Sequence, residues 1–178
     1  CTPRDVLRKQ REWAGCPFLA ANIVKKETGE LLEFVDPYII KEFDGLKVAI
    51  FGLIQEIIPT ITIYAKDLDV RSTIETARTL VPTLRAEADV VIALTQLGLS
   101  EIFRTPSDVQ IAEAVPEIDV IVGGQGGGTT STALKEPEVV GDTIIVEAGA
   151  EGLYVGRLDL TIDGETDTIT EYTYKLIP

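Results

Sequence analysis

The 178-residue chain contains no histidine and no methionine, a single tryptophan, two cysteines, and few basic residues beside its acidic ones. Each shortage removes a class of function. Without histidine, the commonest metal ligand and the usual proton shuttle near neutral pH are both missing. Ser-His-Asp and Cys-His nucleophilic sites, histidine-containing zinc sites and haem on a proximal histidine are therefore excluded. The 16 Lys+Arg against 29 Asp+Glu leave a formal charge of −13. No basic stripe is present to neutralise phosphates, so nucleic acid is not an expected partner. The same balance disfavours anionic membrane surfaces and reads most simply as solubility. No apolar run approaches the ~20 residues that span a bilayer, and no basic-then-apolar leader opens the chain. A start at Cys1, without Met, reads as a processed or excised chain. Cys1 and Cys16 bracket a predicted helix that, at about 1.5 Å per residue, holds them apart. A disulfide between them is open but unforced, and a lipoprotein-type N-terminal cysteine is another reading of Cys1.

What is present is ordinary globular material, 45% apolar and 25% charged, enough for one domain over residues 1–178 with a sizeable core. Thr2-Pro3 reads as an N-cap followed by an N1 proline, with Val6, Leu7, Gln10 and Trp13 on one helical face until Gly15 and Pro17 stop it. Trp13, Tyr38 and Tyr154 are expected to pack. Phe18 to Val24 reads as a buried strand. Tyr38–Phe43 pairs with Lys47–Ile54 across the turn Asp44-Gly45, and the apolar run Val48–Ile54 predicts a central strand. Residues 55–72 read as loop. Ser72 caps a helix in which Pro82 predicts a kink or a new turn. Val90–Leu94, Ile118–Val122 and Thr143–Ala148 read as buried strands, with a short helix opened by Ser107 and Asp108. Leu153–Ile162 and Thr168–Leu176 alternate as an antiparallel hairpin. Strand–helix–strand units followed by hairpins give an α/β fold with a mixed sheet.

Ligand sites in such sheets lie beyond the carboxyl ends of the strands. Three candidates stand there: Thr95-Gln96-Leu97-Gly98, the run Gly123-Gly124-Gln125-Gly126-Gly127-Gly128, and Ala148-Gly149-Ala150-Glu151-Gly152. The glycine run lacks the Lys-Ser/Thr of a P-loop and the helix start of a dinucleotide fingerprint, so on its own it reads as a flexible loop. Glu147 and Glu151 flank Gly149 and read as surface charge. Asp89 and Asp119, each ahead of a buried strand, read as turn caps rather than catalytic acids.

Five blocks in order carry a family resemblance. Cys16-Pro17-Phe18-Leu19-Ala20-Ala21-Asn22-Ile23 is similar to the block that follows the metal-binding Asn-His motif of the bacterial 5′-nucleotidase family of calcineurin-like metallophosphoesterases. Pro37–Ile40 with Gly45–Leu53 resembles that family's next hairpin. Ala88–Gly98 resembles the strand ending in Thr/Ser-His-x-Gly, and Ile118–Gly127 resembles the Gly-Gly-His-x-His (or Gln) block. Ala148-Gly149 through Gly156–Leu160 resembles the closing strands. The resemblance implies the C-terminal half of a four-layer αββα sandwich, a mixed sheet with a C-terminal antiparallel hairpin, and in the family two divalent metals activating water for phosphoester hydrolysis. The leading half with its own ligands, and the family's separate substrate domain, are absent from this sequence.

At each family ligand position the residue differs. Gln96 stands for the first histidine, Gln125 for the second, and Gly127 for the third His or Gln. An amide oxygen is a neutral, weak ligand for transition metals and glycine has no side chain, so no cofactor is expected in this chain. Gln96 and Gln125 then read as solvent-facing or loop-bracing amides. Three functions follow from the resemblance: a metal-free binding module, a segment of an active phosphohydrolase completed by another half, or an assembly subunit. The missing half would leave an apolar sheet face open to a protein partner or a second copy. A periplasmic or cell-surface location is expected from the relatives.

Overall fold

The computed structural model describes residues 3–100, 105–124 and 133–178. Four strands, β3 (Leu46–Ile54), β5 (Val90–Gln96), β6 (Val120–Val122) and β8 (Thr143–Val146), run parallel in the middle of a six-stranded sheet. Antiparallel strands β2 (Tyr38–Phe43) and β7 (Glu138–Val140) close its two edges, giving the order β2-β3-β5-β6-β8-β7. The mixed α/β sheet read from the sequence is thus the architecture found.

The β2–β3 hairpin turns at Asp44-Gly45, whose φ values of 51° and 94° are the left-handed pair a two-residue turn demands. Helices α3 (Thr73–Arg85) and α4 (Asp108–Ala114) pack on one face of the sheet. Alternation decides which side chains meet them. Ala49, Phe51 and Leu53 of β3, Val91 and Ala93 of β5, Ile121 of β6 and Ile145 of β8 form one core with Ala77, Val81, Leu84 and Ile111. Side chains on the opposite face are also apolar but less covered. Leu94 is 40% exposed and Val122 41% exposed, with Ile50 and Ile92 half-buried on the same face.

The chain ends in the expected hairpin, β9 (Val155–Ile162) and β10 (Ile169–Ile177), a separate two-stranded sheet. It is joined to the β8 end of the main sheet by the Tyr174 phenol, which donates to the Glu147 carbonyl at 3.1 Å. Its turn covers residues 163–168, longer than a two-residue hairpin loop. Asp163 Oδ1 accepts from the amides of both Glu165 and Thr166 at 2.9 Å, stabilising the longer form.

Several local expectations are corrected. Pro3 occupies the N-cap of α1 (Arg4–Ala14), not the first helical position. Trp13 does not pack: it is 79% exposed, because α1 is docked through its other side by Leu7 and by Arg4–Asp67 and Arg11–Asp36 ion pairs. Tyr154, 42% exposed, does not pack either, whereas Tyr38 rests on the main core.

Phe18 to Val24 is not one strand. Leu19 makes a single bridge to Asp36 and crosses over Gly52, where any Cβ would overlap the Leu19 carbonyl. Only Ile23–Lys25 forms a strand, β1, pairing with β4 (Leu68–Val70) inside the segment read as loop. That segment also holds a short helix, α2 (Ile58–Ile61), and a 3₁₀ turn at Ile63–Ala65. No break occurs at Pro82, and α3 continues to Arg85. Pro82 and Arg78 are both exposed, so the proline sits on the water-facing side of the helix.

Candidate functional site

Because β3, β5, β6 and β8 are parallel, their carboxyl ends share one edge of the sheet. The strand-end segments singled out in the sequence converge there. Gly123 N–H donates to the Val146 carbonyl at 2.9 Å, tying the end of β6 to β8. The Asp108 amide donates to the Gly98 carbonyl at 2.8 Å, tying the start of α4 to the segment after β5. Leu134 N–H donates to the Glu147 carbonyl at 2.9 Å.

Gln96 is exposed and lies on the sheet face away from the helices, beside its register partner Ile54. It sits at the rim of an apolar recess of about 770 Å³ whose walls include Phe18, Leu19, Ile58 and Tyr64. Gln125 and Gly127 lie outside the described residues, as does Cys1, while Cys16 is exposed. Among the described residues no three His, Cys, Asp or Glu side chains gather as a metal-binding group. Among the described residues, the one position that the resemblance assigns to a metal ligand, Gln96, offers an exposed neutral amide on an apolar rim. An amide of this kind is a neutral, weak ligand for a transition metal.

The carboxylates divide into two kinds. Asp89 and Asp119 behave as the turn caps expected of them. Asp89 Oδ2 accepts from Lys47 N–H at 2.6 Å, and Asp119 Oδ2 accepts from Val91 N–H at 2.7 Å while pairing with Arg85 at 2.5 Å. Glu151 is exposed, as expected, in a left-handed turn with φ 63°. Glu147 is not surface charge. It is 2% exposed, because β8 carries it inward between β6 and the final hairpin.

The residue that sequence reasoning passed over is Asp108. Ser107 caps α4 through a reciprocal capping box with Gln110, as its position suggested. Asp108, read with Ser107 only as opening this helix, is wholly buried. Its carboxylate lies directly against Gly123, so close that a Cβ there would overlap an oxygen, with the Thr95 hydroxyl on the same side. Neither oxygen meets a hydrogen-bond donor among the described residues. Burial pushes the Asp108 carboxyl up to about 7; Thr95 acts in the opposite direction and the charge of Glu147 adds to the rise. The Tyr174 phenol is raised as well, by burial first and by Glu147 second. The signal for Asp108 was the small residue at 123, whose meaning depends on which strand end arrives beside α4.

The mixed sheet with helices on one face is shared with solved 5′-nucleotidase-type phosphoesterases. Thermus thermophilus SoxB, a sulfate thiohydrolase solved with glycerol, superposes with a TM-score of 0.82 over 99% of this chain and 30% of its own, at 24% identity. A 5′-nucleotidase precursor, also from Thermus thermophilus, gives 0.75 over 96% of this chain and 35% of its own, again at 24% identity. The calcineurin-like phosphoesterase YfkN of Bacillus subtilis gives 0.68 over 90% of this chain and 55% of its own, at 21% identity. No family model matches the chain.

Sequence relatives make the assignment particular. The 5′-nucleotidase of Vibrio cholerae is 34% identical over 99% of this chain and 35% of its own length. Protein UshA of Escherichia coli is 30% identical over 99% of this chain and 36% of its own. The chain belongs to the bacterial 5′-nucleotidase family of calcineurin-like phosphoesterases, as a segment spanning about a third of the length of the relatives it matches.

Proposed function

We propose that this chain is a metallophosphoesterase-like module whose metal site has been dismantled and whose role is binding or assembly rather than hydrolysis. One observation carries the reading. Gln96, Gln125 and Gly127 stand where the resemblance places metal ligands, in a chain without a single histidine. The two-metal hydrolysis of the family needs charged or imidazole ligands from both halves of a sandwich, and two amides and a glycine do not rebuild it. Purified chain supplied with manganese and a nucleoside monophosphate is expected to release no phosphate above the metal-only control. Metal-dependent turnover by the chain alone would overturn the reading.

The partner surface is the sheet face turned away from α3 and α4. Leu94 and Val122 lie next to one another across β5 and β6, and apolar surface of this kind gains about 25 cal/mol per Å² when covered. The occupant proposed is the leading half of such a sandwich, supplied by another segment or by a protein partner, with self-association as the alternative. Light scattering at high concentration separates the two: self-association predicts mass growing with concentration, and a constant monomer mass removes it. No helix among the described residues is long and apolar enough to cross a membrane. The proposed location is the periplasm or cell surface, in keeping with the precursor form of one structural relative.

A second reading has its own support. The relatives are about three times as long as the aligned segment, so the chain is equally placed to be one part of an active nucleotide phosphohydrolase completed by an N-terminal half. Intact mass of the native material decides between them: a larger polypeptide or a tightly bound partner, together with phosphate release, favours this second reading.

A further inference from the structure

Asp108 has no use in either reading, and its surroundings give it one. It is a carboxylate with no exposure, at the meeting point of three strand ends: Thr95 at the end of β5, Gly123 after β6, and Glu147 after β8. A buried carboxylate is costly to ionise, since water no longer solvates the charge; among the described residues only the Thr95 hydroxyl offsets that cost, and in part. No cation faces it among the described residues. The titratable groups on that side are Glu147, whose negative charge opposes ionisation, and behind it Tyr174, bonded to the Glu147 carbonyl.

We propose that Asp108 is held as the neutral acid and in that form braces the ends of β5, β6 and β8 against one another, so that its ionisation loosens the strand-end region. As the neutral acid the carboxyl carries its own donor, which suits a pocket holding a hydroxyl oxygen and a second carboxylate. In a chain without histidine this brings a proton-linked group into the neutral range, where the carboxyl sits at about 7.

The direction follows from linkage. The folded chain holds this proton more tightly than the unfolded chain. The contribution is fully present below the unfolded carboxylate range near 4, and is lost as pH rises through the folded value of about 7. Within that window the folded-to-unfolded ratio due to Asp108 falls up to about tenfold per pH unit.

The test is urea denaturation of the chain and of its Asp108→Asn variant between about pH 5 and about pH 8. Asparagine keeps the shape and a donor without the titration. The wild-type midpoint is expected to fall relative to the variant as pH rises. Parallel profiles, or a variant weaker by the same amount at every pH, would show an ionised and compensated carboxylate and overturn the proposal. Should the variant not fold, carboxyl-carbon NMR of the wild-type chain reads the same quantity. A midpoint near 7 supports the brace, and one in the ordinary carboxylate range near 4 refutes it.

Discussion

Replacing Phe51 by alanine is expected to lower the unfolding free energy by about 3–5 kcal/mol, read as a shift of the urea midpoint with the slope unchanged. Phe51 is wholly buried and is one of the largest side chains in the core. It stands in the centre of β3, with Tyr38 opposite it on β2 and Ala93 opposite it on β5. Ala49 and Ala77, in the same cluster, are equally small. Alanines cannot grow into the space a lost ring leaves, so the cavity persists and its cost comes on top of the lost burial. A domain of ordinary stability has only about 5–15 kcal/mol to lose. A loss under about 1 kcal/mol would mean that this face of the sheet is not the main core.

Gly123→Ala is expected to cost about 1–3 kcal/mol by overpacking, and to do so through one neighbour. The new methyl group would enter the space of an Asp108 carboxylate oxygen. That side chain is short, fixed at the start of α4 and wholly buried, so it has little room to move aside. The specific outcome lies in the double variant. Adding Asp108→Ala to Gly123→Ala removes the obstruction, so the pair should cost less than the two single changes added together. Contacting residues commonly show coupling of about 0.5–3 kcal/mol. Strict additivity would contradict the contact.

Much of the sheet was legible because local chemistry and tertiary role agree there. Asp44-Gly45 demands left-handed backbone and gets it; the runs at Val48 and Val90 are apolar on both faces, and each forms a strand in the middle of the sheet. Residues 55–72 were less legible. Leu68–Val70 forms a strand only because Ile23–Lys25 comes alongside, a pairing distant in sequence that no local pattern announces. Pro82 misled for a related reason, since its cost depends on facing water rather than core.

At the strand ends the sequence marked the right places for incomplete reasons. Thr95 and Gly123 were found by topology, because ligands gather beyond parallel strands. Glu147 was mistaken for surface charge because its burial needs the hairpin carrying Tyr174. Asp108 was missed because only the approach of Gly123 turns a helix-opening acid into a buried one. The positions that the resemblance assigns to metal ligands, Gln96, Gln125 and Gly127, come from the family blocks alone, not from composition.

The account stands most directly on metal content. Elemental analysis of the protein isolated from its native source, with anything bound to it, should find manganese and zinc well below stoichiometric amounts. It should stay so after incubation with either metal and removal of the excess. Retention of one or more of these ions per chain, lost on chelation together with hydrolysis of a nucleoside monophosphate, would contradict the account.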